Sequence, residues 1–201
     1  MKYGQIAGNR SIDAKIKRCF ELISEEDASK FERRFANLPK VDDTNDERLH
    51  AFRELIIGAH LVTQGFRVQH SRPIEGKTPD WSILGDEDVL DALVEIVTFH
   101  RGVGKTTDRL YATIQGKFST YKDLADRHEI PYVVGIHVDF EHTVDDDEID
   151  DCLFNDQYGL FALYPEVSGA IFFVVDVASY PIRYYRNPDA KRPLTIRDGI
   201  F

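Results

Sequence analysis

The chain is poor in cysteine, and this scarcity restricts its covalent and metal chemistry. Cys19 and Cys152 are the only cysteines among 201 residues, which excludes a framework of several disulfides. The seven histidines stand at no zinc-type spacing from these cysteines, so a structural zinc site is not expected. A G-x-S-x-G elbow is also missing, which argues against a serine hydrolase of that type.

Long apolar runs are absent as well. None reaches the length that spans a bilayer, so we expect no membrane partner. The first residues do not resemble a signal peptide, and together with the low cysteine content this predicts a reducing, cytoplasmic setting. No internal repeat or low-complexity tract is evident.

Positive charge is scarce overall but unevenly distributed. The formal net charge of −10 argues against generalised nucleic-acid binding, because contact with phosphates needs Lys and Arg. Residues 139–156 carry nine acidic side chains and no Lys or Arg, whereas 101–122 and 183–197 each carry five basic side chains against one Asp. The acidic run is explained by a solvated surface, but the two basic stretches favour a ligand that bears phosphate.

Hydrophobic patterning predicts one α/β domain with a helical extension. Residues 1–44 are interpreted as a helical appendage, which could contact a second copy or another protein, and 45–201 as the α/β domain. We expect two short helices within 11–37 and a helix over 46–64, strands at 66–70, 80–84 and 90–99, a helix over 106–128, a strand at 132–138, an acidic helix near 145–153, and strands at 170–175 and 182–185. This order predicts a mixed central sheet with a hairpin in its middle, flanked by helices.

Two carboxylates in the predicted hairpin suggest a metal site. Asp80 ends the turn 76–80 (GKTPD), and Glu95 interrupts the apolar run 92–97 (ALVEIV). Burial of an unpaired carboxylate costs several kcal/mol, so Glu95 needs an ion-pair partner, a proton or a cation. Asp80 alone is also explained as a turn residue after proline. If the two carboxylates meet, hard oxygen ligands of this kind suit Mg²⁺ or Mn²⁺.

Several segments in order resemble one family, the PD-(D/E)xK nuclease superfamily. The resemblance covers about residues 46–138, with a similar tail in 187–190 (NPDA) and 193–194 (PL). Its pieces are Glu54 in the first long helix, the turn 76–80, Val94 and Glu95 on the next strand, the helix segment 114–117 (IQGK) with Tyr121, and the strand 131–135 (PYVVG). The family implies a restriction-endonuclease-like fold that acts on DNA or RNA, and of the two we expect DNA before RNA.

The resemblance also implies roles for individual residues. Asp80, Glu95 and the carbonyl of Ile96 would hold the metal, and a lysine two residues after Glu95 would help to activate water. Val97 stands at that position. Lys117 is a candidate replacement because it falls inside the apolar stripe of the helix over 106–128. A lysine whose methylenes pack while its ammonium reaches water explains the same pattern.

Glu54 admits two interpretations. Its helix already has one broad apolar face, and Glu54 lies on the other side together with Ile57 and Leu61. A helix that is apolar on both sides is largely enclosed. Glu54 is therefore either a buried ion-pair member, with His50 one turn earlier as a partner, or a carboxylate that assists the metal through water.

The loop 100–107 (HRGVGKTT) imitates a phosphate-binding loop. The first glycine of G-x-x-x-x-G-K-[ST] would fall at position 99, which is Phe99, and a deviant glycine-rich form would need glycine in place of Arg101. A P-loop NTPase that uses 102–107 is therefore only the third candidate. In a nuclease, Arg101, Lys105 and Lys122 of the basic stretch would contact the phosphate backbone.

The sequence thus predicts a Mg²⁺- or Mn²⁺-dependent nuclease whose catalytic residues are Asp80, Glu95, Lys117 and Glu54. The main alternative is a binding or assembly module of the same fold without catalysis, which Val97 and the acidic composition favour.

Overall fold

The structure, a computed structural model, describes residues 10–37, 46–100, 105–138, 144–174 and 181–200. The helices are α1 (Arg10–Leu22), α2 (Glu25–Asn37), α3 (Asp46–Thr63), α4 (Thr106–His128), α5 (Asp146–Phe154) and α6 (Leu160–Leu163). The strands are β1 (Arg67–His70), β2 (Trp81–Leu84), β3 (Leu90–Phe99), β4 (Tyr132–Val138), β5 (Gly169–Phe173), β6 (Pro181–Arg186) and β7 (Gly199–Ile200). A short 3-10 helix, Asp86–Asp88, joins β2 to β3.

The strands form one mixed sheet in the order β1-β2-β3-β4-β5-β6-β7. The central strands β3, β4 and β5 are parallel to one another, and every other neighbouring pair is antiparallel. Strand β4 is buried along its whole length, as expected for a parallel strand that is covered on both faces.

Helices cover both faces of the sheet and create two hydrophobic cores. One core joins α1, α2 and α3 to the sheet face that carries Trp81, Val94 and Ile171. The other joins α4, α5 and α6 to the opposite face, which carries Leu93 and Val134. The predicted α/β fold, with a mixed sheet flanked by helices and an N-terminal helical region, is confirmed at this level.

The two long helices follow from their sequence patterns. Residues 51–61 of α3 are all buried, because α1 and α2 cover the side of the helix that faces away from the sheet. In α4 the buried residues are those of the predicted stripe, Leu110, Ile114, Phe118, Tyr121, Leu124 and Ala125. Both helices therefore have fixed orientations over the central strands.

The two cysteines and the lack of long apolar runs can both be compared with the structure. Cys19 and Cys152 are buried and free, and they belong to different cores. Within the described ranges, no helix is long and apolar enough to cross a membrane.

Candidate active site

The hairpin of β2 and β3 brings Asp80 beside Glu95. Trp81 pairs with Val94, so Asp80, one residue before β2, comes opposite Glu95. The Asp80 amide donates to Glu95 Oε2 over 3.2 Å, and the Ile96 amide donates to Asp80 Oδ2 over 2.7 Å. The sequence predicts a strand that begins at residue 80, but β2 begins at Trp81 and Asp80 lies in a bend before it. The Asp80 carboxylate is directed toward β3, where it accepts from the Ile96 amide.

Lys117 of α4 reaches the same carboxylates. Its Nζ lies 2.7 Å from Glu95 Oε1, and 27% of its side chain is exposed against 9% for Glu95. The Tyr132 hydroxyl donates to the backbone carbonyl of Lys117 over 2.7 Å and fixes this turn of α4 above β4. The ammonium therefore faces the hairpin, and half-buried Val97 lines the same cleft as Lys117.

Glu54 is the centre of a buried charge network. Its carboxylate accepts from Arg34 Nη1 over 2.6 Å and from His70 Nε2 over 2.8 Å, and His50 Nε2 lies 3.1 Å away. Burial acts to raise the pKa of Glu54, but the hydrogen bonds from His70 and Arg34 outweigh it and lower the pKa below its ordinary value. Glu54 is thus ionised and has several partners, which agrees with its interpretation from the sequence as a buried ion-pair member.

Aromatic rings pack against His70 of this network. His70 packs against Phe31 at a centroid distance of 4.3 Å and against Trp81 at 5.0 Å. The Trp81 indole donates to the backbone carbonyl of Glu54 over 2.7 Å. The first residue of β2 is thereby tied to α3, and Asp80, its neighbour, is held at a fixed distance from Glu54.

The electrostatics at Asp80 favour a bound cation. Burial, the Glu95 carboxylate and the Glu54 carboxylate together raise the pKa of Asp80 to about 8. Ligand atoms of His50, Glu54 and Asp80 all lie within 4.8 Å of one another. The two carboxylates of this group are of the kind that Mg²⁺ or Mn²⁺ binds. Of the ligands that the sequence predicts, the group contains Asp80 but not Glu95, whose oxygens contact Lys117 and the Asp80 amide.

A cleft of about 630 Å³ opens beside these carboxylates. It is lined by Arg34, Glu47, His50, Arg53, Ile96, Val97, Thr98, His100 and Lys117. The wall combines residues of α2 and α3 with the second half of β3 and with α4. Three of its side chains are permanent cations, and two of them, Arg34 and Lys117, are ion-paired with Glu54 and Glu95.

The predicted phosphate-contacting residues lie elsewhere or outside the described residues. Lys105 lines a separate cavity of about 540 Å³ together with Asp108 and Asp151. Lys122 pairs with Asp123 over 2.8 Å. Arg101 and the loop residues 102–104 fall outside the described residues.

Sequence reasoning missed two members of the site, Arg34 and His70. Arg34 stands between Phe31 and Phe35 on α2, at the edge of that helix's apolar face. His70 follows Val68 on the inward-facing side of β1, where the burial pattern alternates. Each position shows a polar side chain next to buried residues. Its partner, Glu54, can be identified only from the packing of α2 and β1 beside α3.

The chain matches no protein family model, and no curated protein is significantly similar to it in sequence.

Proposed function

We propose that the protein is a metal-dependent nuclease of the restriction-endonuclease-like type. The observation that carries this proposal is the contact of 2.7 Å between Lys117 Nζ and Glu95 Oε1, directly beside Asp80. A lysine and two carboxylates at one end of a hairpin are the groups that metal-assisted phosphodiester hydrolysis needs. Here the lysine comes from α4 instead of from position 97.

The carboxylates would hold the metal and position it. Asp80, Glu95 and the Ile96 carbonyl are the proposed ligands, and Glu54 and His50 of α3 lie close to Asp80. A bound Mg²⁺ or Mn²⁺ would lower the pKa of a coordinated water and offset negative charge on the phosphate. The hydrogen bond from the Ile96 amide fixes Asp80 Oδ2, so the ligand geometry is set by the strand.

Lys117 would act on the attacking water and on the developing charge. Its ammonium carries three donors, and its contact with Glu95 places it at the mouth of the cleft. A cation fixed at that place stabilises the extra negative charge of the transition state without any reorganisation. Tyr132 supports it indirectly, because it holds the backbone of α4 at this residue.

A second function is favoured by one residue, Val97. If the Lys117–Glu95 ion pair serves only to neutralise a buried carboxylate, the fold is a binding or assembly module without catalysis. The same cleft would then bind nucleic acid and leave it intact.

The experiment that tests the proposal is a cleavage assay on single-stranded DNA, double-stranded DNA and RNA, each with Mg²⁺, Mn²⁺ or EDTA. We expect cleavage of DNA that requires the metal and is abolished in Glu95→Gln. Asp91→Asn is the matched control, because Asp91 is an exposed carboxylate on the same strand. Titration calorimetry should show Mn²⁺ binding that is lost in Asp80→Ala. Absence of cleavage for every substrate and metal would contradict the proposal.

A further inference from the structure

The cleft extends beyond the acidic centre, along the second half of β3. Thr98 follows Glu95 on that strand, His100 comes directly after its last residue, and both line the cleft. An extended strand rises about 3.3 Å per residue, so Thr98 lies roughly 10 Å from Glu95. Thr98 and His100 therefore lie farther from Glu95 than Ile96 does, although Ile96 and His50 line the same cleft.

Arg53 of α3 is the most constrained cation in this outer part. It is 4% exposed yet lines the cleft, and its Nη1 donates to Thr98 Oγ1 over 2.8 Å. That bond bridges α3 and β3 and fixes the plane of the guanidinium. A planar guanidinium with donors on two edges matches the geometry of phosphate oxygens.

Arg34 enters the same cleft from α2. Its Nη1 is bonded to Glu54 over 2.6 Å, and 34% of its side chain is exposed. The imidazoles of His50 and His100 lie on the same wall, and Glu47 is the acidic member of the residues described there. The outer cleft thus presents two arginines and two histidines to a single ligand-sized space.

A buried histidine, His137, lies beside the outer part of the cleft. Burial, with Arg53 and His100 nearby, lowers the pKa of His137 to about 2. His137 is 2% exposed and pairs with Thr98 in the register of β3 and β4, and its Nδ1 has no hydrogen-bond partner among the residues that the structure describes. His137 is therefore uncharged at neutral pH, and the cation beside Thr98 is the guanidinium of Arg53.

We propose that Arg53, Arg34, Thr98 and His100 form a phosphate-binding subsite for a nucleic-acid phosphate that neighbours the one being cleaved. The assignment rests on the proposed function for its substrate class; its four residues are not proposed metal ligands, although Arg34 also contacts Glu54. The phosphate is either an internal phosphodiester or a terminal phosphate monoester of the strand. The subsite would place contacts to the nucleic-acid backbone on α2 and α3, in addition to the basic stretch 101–122 that the sequence indicates.

The test is fluorescence anisotropy with a labelled single-stranded DNA oligonucleotide in EDTA, where a metal-dependent reaction cannot proceed. For Arg53→Gln we expect Kd to rise about tenfold, the scale of one charge-assisted hydrogen bond. The slope of log K against log salt concentration should fall in magnitude by about 0.7, the loss of one phosphate contact on a single strand. Arg33→Gln is the matched control, because Arg33 is exposed on α2 beside Arg34 and should change neither quantity.

Two further arms complete the design. Oligonucleotides with a 5′-phosphate or a 5′-hydroxyl separate the two sources: equal loss in Arg53→Gln assigns an internal phosphodiester, and loss for the phosphorylated strand alone assigns a terminal phosphate. Circular dichroism checks the fold of Arg53→Gln. If this variant unfolds, Arg34→Gln, at a half-exposed position in the same cleft, provides the decisive measurement.

The outcomes are distinguishable from those of the cleavage assay. A wild-type protein that binds DNA through Arg53 but cuts nothing would contradict the nuclease and leave the subsite standing. A wild-type protein that cuts DNA, with Kd and salt slope unchanged in a folded Arg53→Gln, would overturn the subsite alone.

Discussion

At the scale of single residues, Asp80 is the group whose environment is most unfavourable without a cation. Its pKa of about 8 stands well above the ordinary 3.8, so it is protonated at neutral pH unless a metal replaces the proton. Because the folded pKa is the higher one, the stability that protonation contributes is complete below about pH 3.8 and is lost as the pH rises through about 8. The metal-free protein should therefore become less stable over this range as far as Asp80 is concerned.

Asp80→Asn should remove this pH dependence. Asparagine keeps an oxygen that can accept from the Ile96 amide, but it carries no charge beside Glu95 and Glu54. In EDTA, we expect the stability of Asp80→Asn relative to wild type to improve by about 1 kcal/mol or more between pH 5 and pH 9, or about 2–4 °C in Tm.

Thermal unfolding of both proteins at the two pH values measures the difference. Asp91→Asn, an exposed change on β3, should run parallel to wild type. A gap between Asp80→Asn and wild type that stays constant from pH 5 to pH 9 would mean that Asp80 ionises normally.

At the scale of elements, the contact between α3 and β2 sets the distance from Glu54 to Asp80. It depends on Gly58, where an added Cβ would lie 2.0 Å from a ring atom of Trp81. The indole therefore lies directly on the helix backbone and donates to the Glu54 carbonyl one turn earlier. A side chain at position 58 would push β2, and Asp80 with it, away from α3.

Gly58→Ala should destabilise the protein although alanine is the better helix former. Alanine in place of glycine inside a helix normally adds about 0.5–1 kcal/mol of stability. Here overpacking against Trp81 should cost about 1–3 kcal/mol and reverse the sign.

Gly116→Ala is the matched control for this prediction, because a Cβ on Gly116 of α4 meets nothing within 4 Å. It should be neutral or stabilising. Chemical denaturation of both variants measures the two free energies of unfolding, and a Gly58→Ala protein as stable as wild type would contradict the packing described for Trp81.

Elements with a long periodic pattern are predictable from the sequence, as are the short strands β1 and β2, but the shortest elements are not. The bounds of α4 and β4 agree with those expected, because the apolar stripe of α4 and the continuous apolar run of β4 extend over many residues. Helix α6 has four residues and strand β7 has two, too few to show any period, and both were missed. Lys117 could be singled out because it interrupts a stripe, whereas Arg34 reaches Glu54 across 20 positions of sequence and depends on how α2 docks.

At the scale of the whole molecule, the N-terminal helices are part of the main core. Ile16, Cys19, Phe31 and Phe35 are buried in the same cluster as Trp81 of the sheet. Lys30 of α2 also donates to the His70 carbonyl over 3.1 Å. The apolar faces of α1 and α2 are thus covered within the chain, and a second copy bound through these helices remains a prediction.

Removal of residues 1–44 should unfold or aggregate the remainder. The deletion would expose the outer side of α3, which is apolar and buried along residues 51–61, and would remove Arg34 from Glu54. Far-ultraviolet circular dichroism and size-exclusion chromatography of the truncated chain measure the effect. A monomeric truncated protein with a cooperative melt near the wild-type Tm would show that the helices are an independent appendage.

The proposed mechanism requires that Lys117 of α4 supplies the cation that a lysine at position 97 would otherwise provide. The most direct measurement is the rate of metal-dependent DNA cleavage by wild type, Lys117→Met, and the double variant Lys117→Met with Val97→Lys. Lys117→Met should lower the rate by about 10²-fold or more, the scale of losing one electrostatic partner of the transition state. The double variant should cleave at least about tenfold faster than Lys117→Met, because position 97 lines the same cleft two residues after Glu95. Cleavage by Lys117→Met at the wild-type rate would contradict the proposed role of Lys117.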